Sequence, residues 1–302
     1  MNPVSGPWVA PPPDRPLRVV LLSAGQRPHV AAEAERLRAI ITRHAQIVGV
    51  DFTGQEDMST IDADVAIVLG GDGSILRAAH QMGHRQLPAV AVNLGRLGFL
   101  ADVAPEELSD ILGDLRAGKL SVVEHLMLDC RVLPAGQPEL GQLVLNEVAV
   151  RAGSPFVLMD ISLYVDSEWV TTYSGDGLII STPVGSTAYS LSAGGPILRK
   201  DLEALVIVPL SPHTLTNRPV VESADRLFEM EVLPPCPEAS VVVDGRVLGR
   251  IKPGERVRVT RAPVRFRMVT APGHSYYHTL REKLGWSGHL RRNDGRGNDG
   301  LS

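Results

Sequence analysis

Cysteine is scarce in this 302-residue chain: Cys130 and Cys236 stand far apart, with no CxxC pair and no Cys/His spacing. That excludes a disulfide framework, argues against a zinc site, and fits two buried thiols in a reducing compartment. Excess positive charge is also missing. With 30 Lys+Arg against 34 Asp+Glu, no global basic field exists to hold nucleic acid or an anionic membrane. No apolar run reaches the about 18 residues of a spanning helix. Met1 to Pro16 lack the basic-then-apolar order of a secretion signal, so the cytoplasm is the expected location. GxxxxGK[ST] occurs nowhere, which argues against a P-loop NTPase. What remains, 44% hydrophobic and 21% charged residues, is the composition of one or two globular domains.

Two kinds of periodicity divide the chain. Residues 1–16, with Pro11-Pro12-Pro13, read as a flexible leader, and 291–302 as a disordered tail. Across 17–120, apolar runs alternate with amphipathic stretches, the pattern of an α/β domain with a mostly parallel sheet. Leu17 to Leu22, Val65 to Leu69 and Ala89 to Val92 read as buried strands, Val30 to Arg43 and Pro105 to Leu115 as helices. Across 121–275 the period becomes two, with β-branched residues in Met127 to Val132, Leu143 to Val150 and Leu158 to Val165, so an all-β domain is expected. Residues 276–290 regain helical spacing and are expected to pack back on the first domain.

Three constellations carry chemistry. Gly70-Gly71-Asp72-Gly73 joins a buried strand to a helix, so its loop lies at the carboxyl edge of a parallel sheet, where ligands of open α/β folds bind. Its glycines permit close backbone approach, and the helix N-terminus attracts phosphate. The loop does not match GxGxxG, which disfavours a hydride-transferring dinucleotide enzyme. An Asp there repels phosphate unless it accepts a proton or holds Mg²⁺; otherwise it is a helix cap. Asn146-Glu147 interrupts an apolar strand, and burying both is costly unless a bulge or strand end exposes them. An amide suits a purine edge and a carboxylate suits sugar hydroxyls; an exposed turn is the alternative. Gly175 to Pro196 runs from a strand through a Pro/Gly turn into hydroxyl residues and Tyr189, presenting amides, hydroxyls and one ring together.

These blocks, with Asn93-Leu94-Gly95-Arg96-Leu97-Gly98-Phe99-Leu100 and Leu280 to Trp286, resemble in order and spacing the NAD kinase family. The GGDG loop by itself is shared with lipid kinases and is similar to that of phosphofructokinases. The resemblance spans Leu17 to Trp286 and implies a phosphofructokinase-like α/β N-terminal domain, a sandwich-like all-β C-terminal domain and a homodimer or homotetramer. The implied reaction moves the γ-phosphoryl of ATP, or a phosphoryl of polyphosphate, to the 2′-hydroxyl of the adenosine ribose of NAD. A divalent cation, expected to be Mg²⁺, travels with the donor, and no protein metal ligands are assigned.

Carried over residue by residue, Asp72 matches the proton acceptor, and Gly70, Gly71 and Gly73 the phosphate loop. Gly73, Arg77 and Phe99 match substrate contacts, Asn146 and Glu147 the pair on adenine and ribose. Thr187, Ala188 and Tyr189, with Ser190, Leu191 and Ser192, match the adenine and nicotinamide contacts. Asp176 resembles a carboxylate that reaches the nicotinamide end from a neighbouring subunit in some oligomers. Arg246 matches a weaker contact and equally suits a hairpin turn. Val184 departs from the Thr or Ser of many members, removing one adenine-bonding hydroxyl. The competing readings are a kinase of another hydroxyl, such as a lipid, and a noncatalytic NAD or nucleotide sensor.

Overall fold

The computed structural model describes residues 5–24, 28–134, 136, 138–153, 158–214, 217–236, 238–270 and 276–286. Its first half contains β1 (Ser5–Pro7), β2 (Leu17–Ser23), α1 (Pro28–His44), β3 (Ala45–Asp51), β4 (Val65–Leu69), α2 (Asp72–Met82), β5 (Ala89–Val92) and α3 (Leu108–Arg116). Strands β5, β4, β2 and β3 lie side by side in that order, all parallel. Their apolar runs have no polar face because both sides are covered. Val19 and Leu21 belong to the core containing residues of α1 and α3, and Val20 and Leu22 to the core containing residues of α2. The sequence pattern did not reveal β3, an edge strand with a half-exposed apolar face.

The segment read as a flexible leader enters the fold from Ser5 onward. Strand β1 pairs with Val123 to Ser121, and Trp8 is buried with its indole N–H donating to Leu115 O at 2.8 Å. The Arg116 guanidinium donates to the carbonyls of Pro13 and Arg15. A proline-rich composition suggested solvent, but one large aromatic side chain with a partner for its N–H is enough to dock it. The tail at 291–302 lies outside the described residues.

The second half contains β6 (Ser121–Leu133), β7 (Leu140–Val144), β8 (Glu147–Ala152), β9 (Met159–Val165), β10 (Glu168–Gly175), β11 (Gly177–Ser181), α4 (Tyr189–Ser192), β12 (Ala204–Leu210), β13 (Val220–Ser223), β14 (Phe228–Val232), β15 (Ala239–Val243), β16 (Arg246–Ile251), β17 (Arg256–Thr270) and α5 (Tyr276–Leu284). One antiparallel sheet has the order β13-β12-β11-β8-β15-β16. It packs against β6, β9, β14 and β17 through a core that includes Val148, Ile180, Val241, Leu128, Leu163 and Phe228. That is a β-sandwich joined to a mostly parallel α/β unit, the fold class expected from the change of period.

The two halves are continuous rather than merely adjacent. Strand β17 pairs with β14 through Arg256 to Val259, with β6 along most of its length, and through Met268 with Ala89 of β5. A register shift between Arg261 and Arg265 bends it from one half into the other. Helix α5 returns to the junction, where Tyr276 Oη donates to Leu198 O at 3.0 Å. The Lys283 ammonium stands 5.3 Å from the centre of the Phe99 ring.

Candidate active site

Helix α2 starts at Asp72, directly after the tight turn at Gly70-Gly71. Its apolar face, Ile75, Ala78, Ala79 and Met82, shares one core with Leu145, Val184, Phe266 and Met268 from the other half. Asp72 is thereby fixed at the junction. Its carboxylate accepts three backbone N–H groups of the following loop: Phe99 to Oδ2 at 2.8 Å, Leu100 to Oδ1 at 2.9 Å and Ala101 to Oδ1 at 3.1 Å. A carboxylate offers about four acceptor positions, so both on Oδ1 are filled and one on Oδ2 stays open. Lys200 donates its ammonium to Phe99 O at 2.6 Å, bracing the loop from the other side. Burial lowers the Lys200 amine below the ordinary lysine value, against the pull of Asp102 and Asp72.

The glycines of the loop do not serve alike. The Gly70 amide donates to Val92 O at 2.9 Å, so it is spent on β5. Gly71 and Gly73 are exposed at the N-terminus of α2, where the amides of a helix's first turn lack intrahelical acceptors. Gly71 and Gly73 therefore stand open to solvent where the Gly70 amide does not.

Asn146-Glu147 falls at an interruption: the run read as one strand is two, β7 ending at Val144 and β8 starting at Glu147. Both residues are nevertheless buried. The break is held by side chains distant in sequence. Asp244 Oδ1 accepts the amides of Asn146 at 2.7 Å and Glu147 at 3.1 Å, and Oδ2 accepts that of Leu145 at 2.9 Å. The carbonyl of Leu145 accepts Thr182 Oγ1 at 2.6 Å, and that of Asn146 accepts Thr182 N at 2.8 Å. The 143–150 apolar run looks continuous because apolar side chains flank the break on both sides; the residues that satisfy its backbone come from elsewhere. Glu147 takes a backbone hydrogen bond from Tyr189, while its Oε2 has no partner. Burial first, and the charge of Asp244 second, push its carboxyl up to about 8.

The hydroxyl-rich stretch follows β11. Thr187 is buried and bonds Val184 O at 3.1 Å, and Ala188 leads into α4. The Tyr189 ring lies 5.5 Å from the Arg151 guanidinium. Ser190 is fully buried with its Oγ unpartnered, Leu191 is half-buried and Ser192 is exposed. Val184 packs among the apolar residues of α2 and β7, which explains an apolar residue there.

Of three further expected contacts, Asp176 stands apart. Asp176 is exposed at the start of β11, five residues before the Ser181 end that pairs with Glu147, hence roughly 17 Å along the strand. Within one chain it does not join Asn146 and Glu147. Arg77 lies over Gly54, the turn after β3. Arg246 is exposed beside the Asp244-Gly245 hairpin turn, whose two residues both have positive φ. That turn chemistry was legible, but the residue it serves is Asp244. Nothing in the sequence marked Lys200 or His80, and Thr182 lay within the Gly175 to Pro196 stretch without a role of its own. A cavity of about 250 Å³ also opens behind the Phe99 loop, lined by His125, Lys200 and Tyr276 among others and by neither Asn146 nor Tyr189.

Comparison with known proteins fits this division. Residues 23–120 match the ATP-NAD kinase N-terminal domain and residues 145–271 the ATP-NAD kinase C-terminal domain. An NAD kinase of Rhodopirellula baltica is 50% identical over 276 residues, 91% of this chain and 89% of that protein. One from Geotalea daltonii is 39% identical over 84% of this chain and 89% of its own. Among solved structures, yeast NADH kinase complexed with NADH superposes with a TM-score of 0.84 at 21% identity, covering 94% of each chain. The NAD kinase from Archaeoglobus fulgidus in complex with ATP gives 0.70 at 25% identity, over 89% of this chain and 97% of that one. With both family domains in order across one continuous fold, the chain belongs to the NAD kinase family.

Proposed function

We propose that Asp72 takes the proton of the adenosine 2′-hydroxyl of NAD while that oxygen attacks the γ-phosphorus of ATP, in the phosphorylation of NAD to NADP that the family performs. The observation that carries this reading is the carboxylate locked by three amides with one acceptor position left open. The O–H proton goes to Asp72 Oδ2, a bond forms from the 2′-oxygen to phosphorus, and the bond to the bridging oxygen breaks as ADP leaves. Such transfers depend chiefly on positioning and charge stabilisation. The exposed amides of Gly71 and Gly73 supply donors for phosphate oxygens. Asn146 and Glu147 hold adenine and ribose hydroxyls, and Thr187, Ala188 and Tyr189 border the same pocket.

Among the described residues no group of three or more His, Cys, Asp or Glu is arranged to hold a metal ion. A divalent cation, Mg²⁺ by preference, would arrive with the phosphoryl donor and be held mainly by its phosphate oxygens. When bound it would neutralise charge on the transferring group. Polyphosphate is an alternative donor for the same loop. Among the described residues no helix is long and apolar enough to cross a membrane. Two free, buried thiols fit the reducing cytoplasm as the site of action. The remoteness of Asp176 from Asn146 in one chain supports a homodimer or homotetramer in which it serves a neighbour's pocket.

The test is Asp72→Asn. Turnover should fall by about 10²–10⁴-fold, with NAD binding retained by calorimetry. Unchanged turnover would remove Asp72 from the chemistry. Light scattering tests the oligomer, and substitution of Asp176 should affect only nicotinamide-end affinity.

A further inference from the structure

The carboxylate of Asp244 is saturated. Oδ1 takes the amides of Asn146 and Glu147, and Oδ2 takes the amide of Leu145 and, at 2.7 Å, Nε2 of His80. Four donors fill the about four acceptor positions a carboxylate has. Its side chain is fully buried, and its own backbone N–H donates to Glu147 O at 3.1 Å. Unlike Asp72, it has no position left for a substrate. Its task lies in what it holds: the two-residue gap between β7 and β8 from which Asn146 and Glu147 project.

His80 connects that gap to the other side of the reaction. It lies eight residues after Asp72 on the same helix, hence about 12 Å along the axis. Helix α2 therefore carries Asp72 at one end and, near the other, the donor that anchors Asp244. The side chain of His80 is 12% exposed, so the link is nearly shielded from water. A hydrogen bond to a charged group in such surroundings is worth more than a neutral one. The neighbouring face of α2 packs on Leu145 and Val184, so the strut cannot shift without disturbing the core.

We propose that His80 and Asp244 are positioning residues: the His80–Asp244 pair sets the placement of Asn146 and Glu147 relative to Asp72, and so the alignment of the bound dinucleotide with the proton acceptor. This rests on the reading that Asn146 and Glu147 hold NAD. It assigns the pair no contact with substrate. The donor nucleotide, held at the N-terminal amides of α2, is not governed by it.

The experiment measures kcat and the KM for NAD and for ATP, with melting temperature, for Asp244→Asn, His80→Phe and His80→Gln in the full chain, with Asn146→Ala beside them. Asp244→Asn replaces one acceptor oxygen by a donor facing amides, and His80→Phe keeps the ring volume but removes the donor. Both should raise the KM for NAD by at least about tenfold and that for ATP by less than about twofold. His80→Gln, which restores a donor, should stay within about threefold of the parent. The proposal is overturned if the KM values for NAD and ATP rise together, if neither the KM for NAD nor kcat changes, or if His80→Gln matches His80→Phe. If Asp244→Asn fails to fold, the His80 pair decides by the same criteria. Should Asn146→Ala raise the KM for NAD while the His80 variants change neither it nor kcat, the positioning role fails and the site reading stands. Should Asn146→Ala leave it unchanged, the site reading fails and the proposal with it.

Discussion

Gly98 and Asp72 are so close that a Cβ on the glycine would overlap Asp72 Oδ1, nearer than side-chain contacts allow. The loop can wrap its amides around the carboxylate only because this residue has no side chain. Gly98→Ala should push the carboxylate aside by a fraction of an ångström or more. A displacement of that order at a reacting group costs up to about 10²-fold in turnover. Steady-state NADP formation checks this, and a variant with parental kcat would show that Asp72 tolerates displacement.

Gly185 has a similar relation to Asn146. A Cβ there would run into the Asn146 carbonyl, which is backbone and already fixed by Thr182. Gly185→Ala should therefore destabilise the protein by about 1–3 kcal/mol and raise the KM for NAD. Denaturant unfolding and kinetics on one preparation separate the two effects.

Lys200→Met preserves length and apolar stem while deleting the donor to Phe99 O. Losing a hydrogen bond from a charged group costs about 1.5–3 kcal/mol, and the lost order should appear in the loop that holds Asp72. The expected result is a fall in kcat with faster amide exchange at Phe99, Leu100 and Ala101. Amide exchange by mass spectrometry reads the second directly.

Stability should depend on pH through Glu147. Its carboxyl is raised from 4.5 to about 8 by burial and by Asp244, so the folded state binds that proton more tightly than the unfolded chain. The contribution is full below about pH 4.5 and is lost as pH rises toward about pH 8. Glu147→Gln carries no such charge. Its melting temperature should gain on that of the parent across this window, and a gap that stays constant would show that the buried carboxyl is not the titrating group.

How far the site could be read in advance differs from one element to the next. Val65 to Met82 was legible as strand, glycine turn and helix, because two local periods and a Gly-Gly pair suffice to define them. The partners of Asp72 were not. They are amides 27 to 29 residues onward, and an amide has no sequence identity. Asn146-Glu147 was visible as polar residues in an apolar run, but its two-strand geometry was hidden because Asp244 lies about a hundred residues away. The leader misled for the opposite reason, since its prolines outweighed the one tryptophan that docks it.

The amino-acid sequence by itself determined the division into α/β and β parts, the GGDG turn and the candidate residues, because each follows from local spacing and turn chemistry. Tertiary structure alone decided that β17 fuses the two halves, that Asp72 keeps one open acceptor position while Asp244 keeps none, and that α2 links them through His80. These depend on which backbone groups distant segments leave unsatisfied, and packing in three dimensions settles that.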